Sequence, residues 1–215
     1  SVSEDATRYT VHLKPNVLWH NGVPFTSQDV SFTVSLLQSQ SELLPADIRE
    51  FWPLIQVNAI NDFELEFLLP EPYAPFVDYL SFQVLPANQL GNLSLEMMVD
   101  HPFNLSPIGT GPFMFDQVIT SDGLISEVQL KPFDNYYDGR AFIEQMIFKY
   151  YASDQAALAA YIAGEVDGIS TVSAQTLPGV LAQEDINLYS AQEPRLTMVF
   201  LNHLNEAKPF LKDEN

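Results

Sequence analysis

Polarity alternates along residues 8–14, Arg-Tyr-Thr-Val-His-Leu-Lys, which predicts a strand. Pro15-Asn16 turns the chain, 17–20 forms a second short extended piece, and Asn21-Gly22 is a strong turn signal because both residues tolerate positive φ. Thr26 opens a helix. Its hydroxyl caps the first turn while Asp29, three residues on, reaches back in a capping box. Val30, Val34 and Leu37 recur at helical spacing, with Phe32 and Leu36 widening the stripe.

Residues 54–60 and 63–69 form a strand pair about Asn61-Asp62. Leu65, Phe67 and Leu69 alternate with Glu64 and Glu66, so one face is apolar and the other wet. Pro70-Glu71-Pro72 stops the second strand, and 74–82 predicts a short aromatic helix with Pro75 in its first turn. Residues 83–105 are irregular, with helical character over 95–99. Strands over 112–118 and 124–131 flank Ser121-Asp-Gly123 in a second hairpin, and 143–151 is an apolar strand. Ser153 opens an alanine-rich helix closed by Gly164, 166–169 is extended, 174–183 is a helix interrupted by Pro178, and 186–191 and 196–202 are strands. The class is therefore mixed α/β (α+β). A division falls near residue 106, giving a β-rich part over 1–105 and an α/β part over 106–215.

Composition narrows the function. At 215 residues and 47% hydrophobic content the chain suits a globular fold, and a chain of this size buries roughly 70% of its unfolded surface. The net charge of −19, from 28 acidic and 9 basic residues, repels a phosphate backbone, so nucleic acid is excluded as a partner. The absence of cysteine removes disulfides, zinc–thiolate sites and thiol nucleophiles. No apolar run approaches the roughly 18 residues that span a bilayer, and no signal segment opens the chain. The start on Ser1-Val-Ser-Glu-Asp and the stop on Lys212-Asp-Glu-Asn215 are expected of a piece of a longer protein.

Catalytic signatures are missing: no Ser-His-Asp order, no Gly-x-Ser-x-Gly elbow, no phosphate loop and no cofactor motif. His12, His20, His101 and His203 lie on separate segments without metal-ligand spacing, so no metal is expected. With 28 acidic residues, close carboxylate pairs arise by chance, which leaves a carboxylate-dependent hydrolase as a remote alternative.

Five segments, taken in order, carry a resemblance. They are Tyr9-Thr-Val-His-Leu-Lys with Trp19-His-Asn-Gly-x-Pro-Phe-Thr-x-x-Asp-Val; Pro107-Ile-Gly-Thr-Gly-Pro-Phe; Asn135-Tyr-Tyr-Asp-Gly; Ala156-x-x-Ala-x-x-Ile-Ala-Gly-Glu-Val-Asp; and Phe200-Leu-Asn-His-Leu-Asn-Glu-Ala-Lys-Pro-Phe. The ordered set resembles the extracellular solute-binding proteins of family 5, the oligopeptide-, dipeptide- and nickel-binding components of ABC importers.

The resemblance implies an incomplete lobe of the type II periplasmic-binding-protein kind, with an inserted β-rich subdomain and a crossover near its end to a second lobe. It implies no enzyme and no cofactor, but capture of a peptide or related small solute and docking onto importer membrane subunits. The location implied is extracytoplasmic, either periplasmic or lipid-anchored at the outer face of the cytoplasmic membrane. Asn202 is implied to face the cleft, where its amide would bond a peptide main chain; alternatively it is a turn residue at a strand end. Phe51 and Trp52 lie where some family members place an aromatic over the ligand, and core packing is the competing assignment. Trp19, Asn21, Gly22, Gly109, Gly111 and Gly164 are expected to serve packing and turns, with Gly109 and Gly111 letting the backbone reverse. Cut strand edges would invite self-association. A ligand-sensing module of a larger regulator is the alternative on the same fold.

Overall fold

The computed structural model describes residues 1–191. The chain divides into two compact units, Ser1–Ala152 and Ser153–Asn215.

The first unit begins with β1 (Arg8–His12), then helix α1 (Ser27–Leu37), a short α2 (Ala46–Phe51) running into a 3-10 turn over Trp52–Leu54, and strands β2 (Gln56–Asn61) and β3 (Glu64–Leu68). The sheet order is β1-β3-β2, all antiparallel. Pairing sets Tyr9 against Phe67 and Val11 against Leu65. The alternation of β3 is realised as read: Leu65, Phe67 and Leu69 are buried, while Glu66 pairs with Arg8 at 3.3 Å on the other face. Helix α1 covers the buried face with Val30 and Val34, and Trp52, Ile55 and Phe76 complete the core. Full burial of each such side chain contributes about 2–3 kcal/mol.

The capping box forms. Thr26 Oγ1 accepts from Gln28 N at 3.3 Å, and Asp29 Oδ2 accepts from Thr26 N at 2.9 Å. The hairpin between β2 and β3 turns one residue later than its sequence suggests. Asn61 ends the strand and its Oδ1 accepts from Phe63 N at 2.9 Å, so the side chain, not the backbone of Asn61, makes the bend.

After β3 come three one-turn helices, α3 (Phe76–Tyr79), α4 (Ala87–Leu90) and α5 (Leu95–Met98), and a 3-10 turn at Pro102–Leu105. A second sheet follows with order β4-β5-β6: β4 (Phe113–Ser121), β5 (Leu124–Pro132) and β6 (Met146–Lys149). Asp122 (φ 54) and Gly123 (φ 77) both sit in the left-handed region, the geometry a two-residue hairpin requires. β6 keeps only four residues of the apolar run 143–151. Arg140 bonds Asp134 at 2.7 Å and Glu144 at 2.6 Å, tying the approach to β6 to the segment that follows β5.

In the second unit Ser153 caps α6 (Asp154–Ile162), its Oγ accepting from Ala156 N. Gly164 (φ 73) ends it: Glu165 N bonds Ala160 O and Gly164 N bonds Tyr161 O, a Schellman closure. Helix α7 (Leu177–Leu181) starts at Thr176, so Pro178 stands in its first turn and opens the helix rather than interrupting it. Residues 166–169 and 186–191, expected as strands, carry no ladder among the described residues. The expected strand 196–202 lies outside the described residues.

Candidate functional site

Helix α2 and the turn after it place Phe51 and Trp52 side by side with different surroundings. Trp52 is 1% exposed, its indole edge-on to Phe82 at 5.4 Å and tilted against Phe76 at 6.5 Å. Phe51 is half-buried at the edge of the core, tilted against Tyr79 at 4.2 Å and Tyr73 at 5.3 Å. Beside them lies a groove of about 270 Å3, lined by Leu37, Ile48, Trp52, Tyr79 and Phe82, with Asp78 as its one carboxylate. Tyr79 is pushed up from the ordinary phenol range, chiefly by its hydrogen bond with Tyr73 and further by Asp47, so it stays a neutral donor. Aromatic faces with few polar groups accept varied apolar side chains without demanding matched hydrogen bonds.

Trp19 and His20 do more than pack a turn. Asn21 Oδ1 accepts from Val23 N at 3.2 Å, Gly22 has φ 82, and bonds from Trp19 N to Val23 O and Phe25 N to Val17 O close a small hairpin. Trp19 is buried and donates Nε1–H to Asp29 Oδ2 at 3.2 Å. The same Asp29, 4% exposed, accepts from Ala87 N through Oδ1 at 2.8 Å. The capping acid thus ties the hairpin, α1 and α4 together. The capping pattern identifies Asp29, but nothing local points to Ala87, 58 residues away.

His20 reaches the second glycine motif. Gly109 N donates to His20 Nδ1 at 3.0 Å, His20 Nε2 lies 3.0 Å from Gly111 O, and His20 N donates to Gly109 O at 2.9 Å. Neither Gly109 nor Gly111 has positive φ. The chain bends over 110–112 without left-handed glycine geometry, and Gly109 lies close to the imidazole, to which an added Cβ would come within 3.4 Å. Burial pushes the His20 imidazole below its usual value, opposed by the Gly111 carbonyl.

In the second unit a cavity of about 690 Å3 is lined by Tyr161, Asp167, Val172, Val180, Asp185 and Tyr189. Tyr161 Oη donates to Asp185 Oδ2 at 3.1 Å. Asp154, at the first position of α6, accepts from Ser173 N at 3.0 Å and is held down at about 2 by the Ser173 and Thr176 hydroxyls and the Ser173 N–H. Among the described residues no three His, Asp or Glu side chains converge as a metal site. Asn202 lies outside the described residues.

These features define a two-sheet scaffold with an apolar groove, and comparison with known structures assigns its class. The chain superposes on NikZ from Campylobacter jejuni, solved with Ni(L-His), with a TM-score of 0.71 and 27% identity over 86% of this chain and 36% of that one. It superposes on the oligopeptide-binding protein AppA of Bacillus subtilis, solved with a nonapeptide, with a TM-score of 0.67 and 26% identity over 77% and 32%. The fold is that of type II periplasmic binding proteins.

The model of the bacterial extracellular solute-binding proteins, family 5, matches residues 1–215, and the chain belongs to that family. Among sequence relatives, the dipeptide-binding protein of Escherichia coli is 24% identical over 226 residues, covering 97% of this chain and 41% of the relative. Bacillus subtilis AppA is 26% identical over 209 residues, covering 96% and 37%. The chain thus spans about two fifths of the length of these relatives, and both are named as binding proteins.

Proposed function

We propose that the chain forms part of the solute-capturing body of an ABC importer, holding a peptide or related small solute non-covalently and carrying out no chemistry on it. The observation that carries this is the family match along all of residues 1–215. The groove walled by Trp52, Tyr79 and Phe82 supports it, because aromatic faces and a lone Asp78 suit capture rather than acid–base work.

In this proposal 1–105 is the β-rich subdomain of a first lobe and 106–215 its α/β part. Phe51 and Trp52 meet the solute, and Asn202 bonds the solute main chain. The protein works outside the cytoplasmic membrane, periplasmic or lipid-anchored, and delivers to the importer's membrane subunits. Exposed sheet edges are the route by which residues 1–215 alone would self-associate.

Calorimetric titration with mixed di- to pentapeptides tests the proposal. For the polypeptide of the complete gene, dissociation constants at or below about 1 μM are expected, equivalent to about −8 kcal/mol. Residues 1–215 alone are expected to bind weakly or not at all. Sub-micromolar binding by 1–215 alone would overturn the division of the site between this chain and the rest of the protein. A complete protein that binds no peptide or comparable small solute would overturn the capture function itself.

A further inference from the structure

We propose that His20 is a proton-operated clasp: its neutral ring fastens the 106–112 turn onto the 17–25 hairpin, and acid releases it. This goes beyond solute capture and does not depend on it.

The geometry allows only one protonation state. Gly109 N–H points at Nδ1, so Nδ1 accepts, and Nε2 therefore carries the proton it donates to the Gly111 carbonyl. A second proton on Nδ1 would set two donors against each other across 3.0 Å. The neutral ring makes two bonds, and the charged ring keeps one while repelling the other partner.

The surroundings offer the charged ring no compensation. Phe133, buried at 5% exposure, stands edge-on to the imidazole at 5.0 Å. Residues 17–25 and 106–112 contain no charged side chain. Beyond Phe133, Asp134 is engaged by Arg140 at 2.7 Å, and from the β1 side Lys14 sits over the Tyr137 ring at 4.1 Å. The neutral ring is favoured by burial and by the Gly109 N–H aimed at Nδ1, and the Gly111 carbonyl opposes burial only in part.

The consequence follows by linkage. His20 in the unfolded chain takes up a proton near its ordinary value of 6.5, and the folded ring only at lower pH. The clasp therefore contributes fully above about pH 6.5 and loses its contribution as pH falls below it.

Amide hydrogen exchange on the 215-residue protein between pH 7.5 and 4.5, corrected for intrinsic exchange, reads the clasp at Gly109. Nitrogen-15 shifts of the imidazole follow the proton in the same samples. Protection at Gly109 is expected to fall by up to about tenfold for each pH unit from about pH 6.5 down to the folded ring's lower pKa, while the β3 amides hold theirs. His20→Asn retains an acceptor for Gly109 N–H and does not titrate, so its Gly109 protection is expected to be flat with pH. Gly109 protection that stays constant in the unaltered protein, whether or not the ring takes up a proton, overturns the proposal. So does a fall of the same size in His20→Asn. If that variant does not fold, the titration of the unaltered protein decides alone.

Discussion

The two sheets of the first unit are built alike, three antiparallel strands around a central hairpin, yet they are finished differently. In the first, the central strand β3 carries Leu65 and Phe67 at 0% and 1% exposure beneath α1 and the aromatic cluster. In the second, Val118, Ile119, Leu124 and Ile125 at the hairpin end are all exposed, Leu124 by 74%. Its buried central side chain is Gln129, whose Oε1 accepts from Gln117 and Gln145 at 2.8 and 3.1 Å. One sheet is held by desolvated apolar contact. The other is held by its ladder, its turns and a relay of amides. Equal strand patterns therefore do not imply equal stability, which depends on what covers the face.

The sharpest test exchanges one ring in each sheet. Phe67→Ala is expected to cost about 4 kcal/mol, since a buried phenyl leaves a cavity behind. Phe148→Ala, on a ring 48% exposed in β6, is expected to cost well under about 1 kcal/mol. Urea unfolding followed by tryptophan fluorescence measures both, and equal losses would erase the distinction between the sheets.

Asp29→Ala comes next. It removes the acceptor for three N–H groups at once, those of Trp19 Nε1, Thr26 and Ala87. Each donor left buried and unpaired costs about 1–3 kcal/mol, and relaxation toward water reduces the sum, so a loss of about 3 kcal/mol is expected. A loss no larger than about 1 kcal/mol, the ordinary value of an N-cap, would mean that Asp29 is a cap and nothing more. Gly123→Ala probes the second sheet where the turn defines it. With φ 77 and no atom near the added methyl, the cost is conformational alone, about 1–2 kcal/mol, or roughly 3–5 °C in melting temperature.

The sequence shows clearly those features whose signals are local. Thr26 with Asp29, Asp122-Gly123, and Ser153 with Gly164 each declare a cap or turn within a few residues, and each forms. Non-local partners leave no such mark. Nothing near His20 announces Gly109, 89 residues on, and nothing near Asp29 announces Ala87. Pro178 misleads because a proline that breaks a helix and one that begins it look the same without knowledge of where Thr176 sits. Phe51 and Trp52 show the limit for the candidate site. Adjacent aromatics read alike, and only the fold buries Trp52 as both core and groove wall and leaves Phe51 half-buried against Tyr73 and Tyr79. Hydrophobicity names the candidates, and direction comes from packing.

The smallest expected effect lies at the border of the second sheet. Arg140 and Glu144 form an exposed pair in front of β6, and Arg140 also holds Asp134. The bond from Arg140 keeps the Glu144 carboxyl below its ordinary 4.5. The pair's contribution is thus present above about pH 4.5 and fades as pH falls through the lowered value. Exposed charges are also screened, with a Debye length near 3 Å in about 1 M salt. Acid and salt are therefore expected to loosen the approach to β6 together, while the first sheet, whose core is apolar and whose Arg8–Glu66 pair lies on the opposite face, responds less. Hydrogen exchange at β6 and β3 amides at pH 6 and pH 3.5, with and without added salt, separates them. Matching responses at the two sheets would show that the same surface electrostatics governs both, and the contrast between a covered and an uncovered face would lose its physical basis.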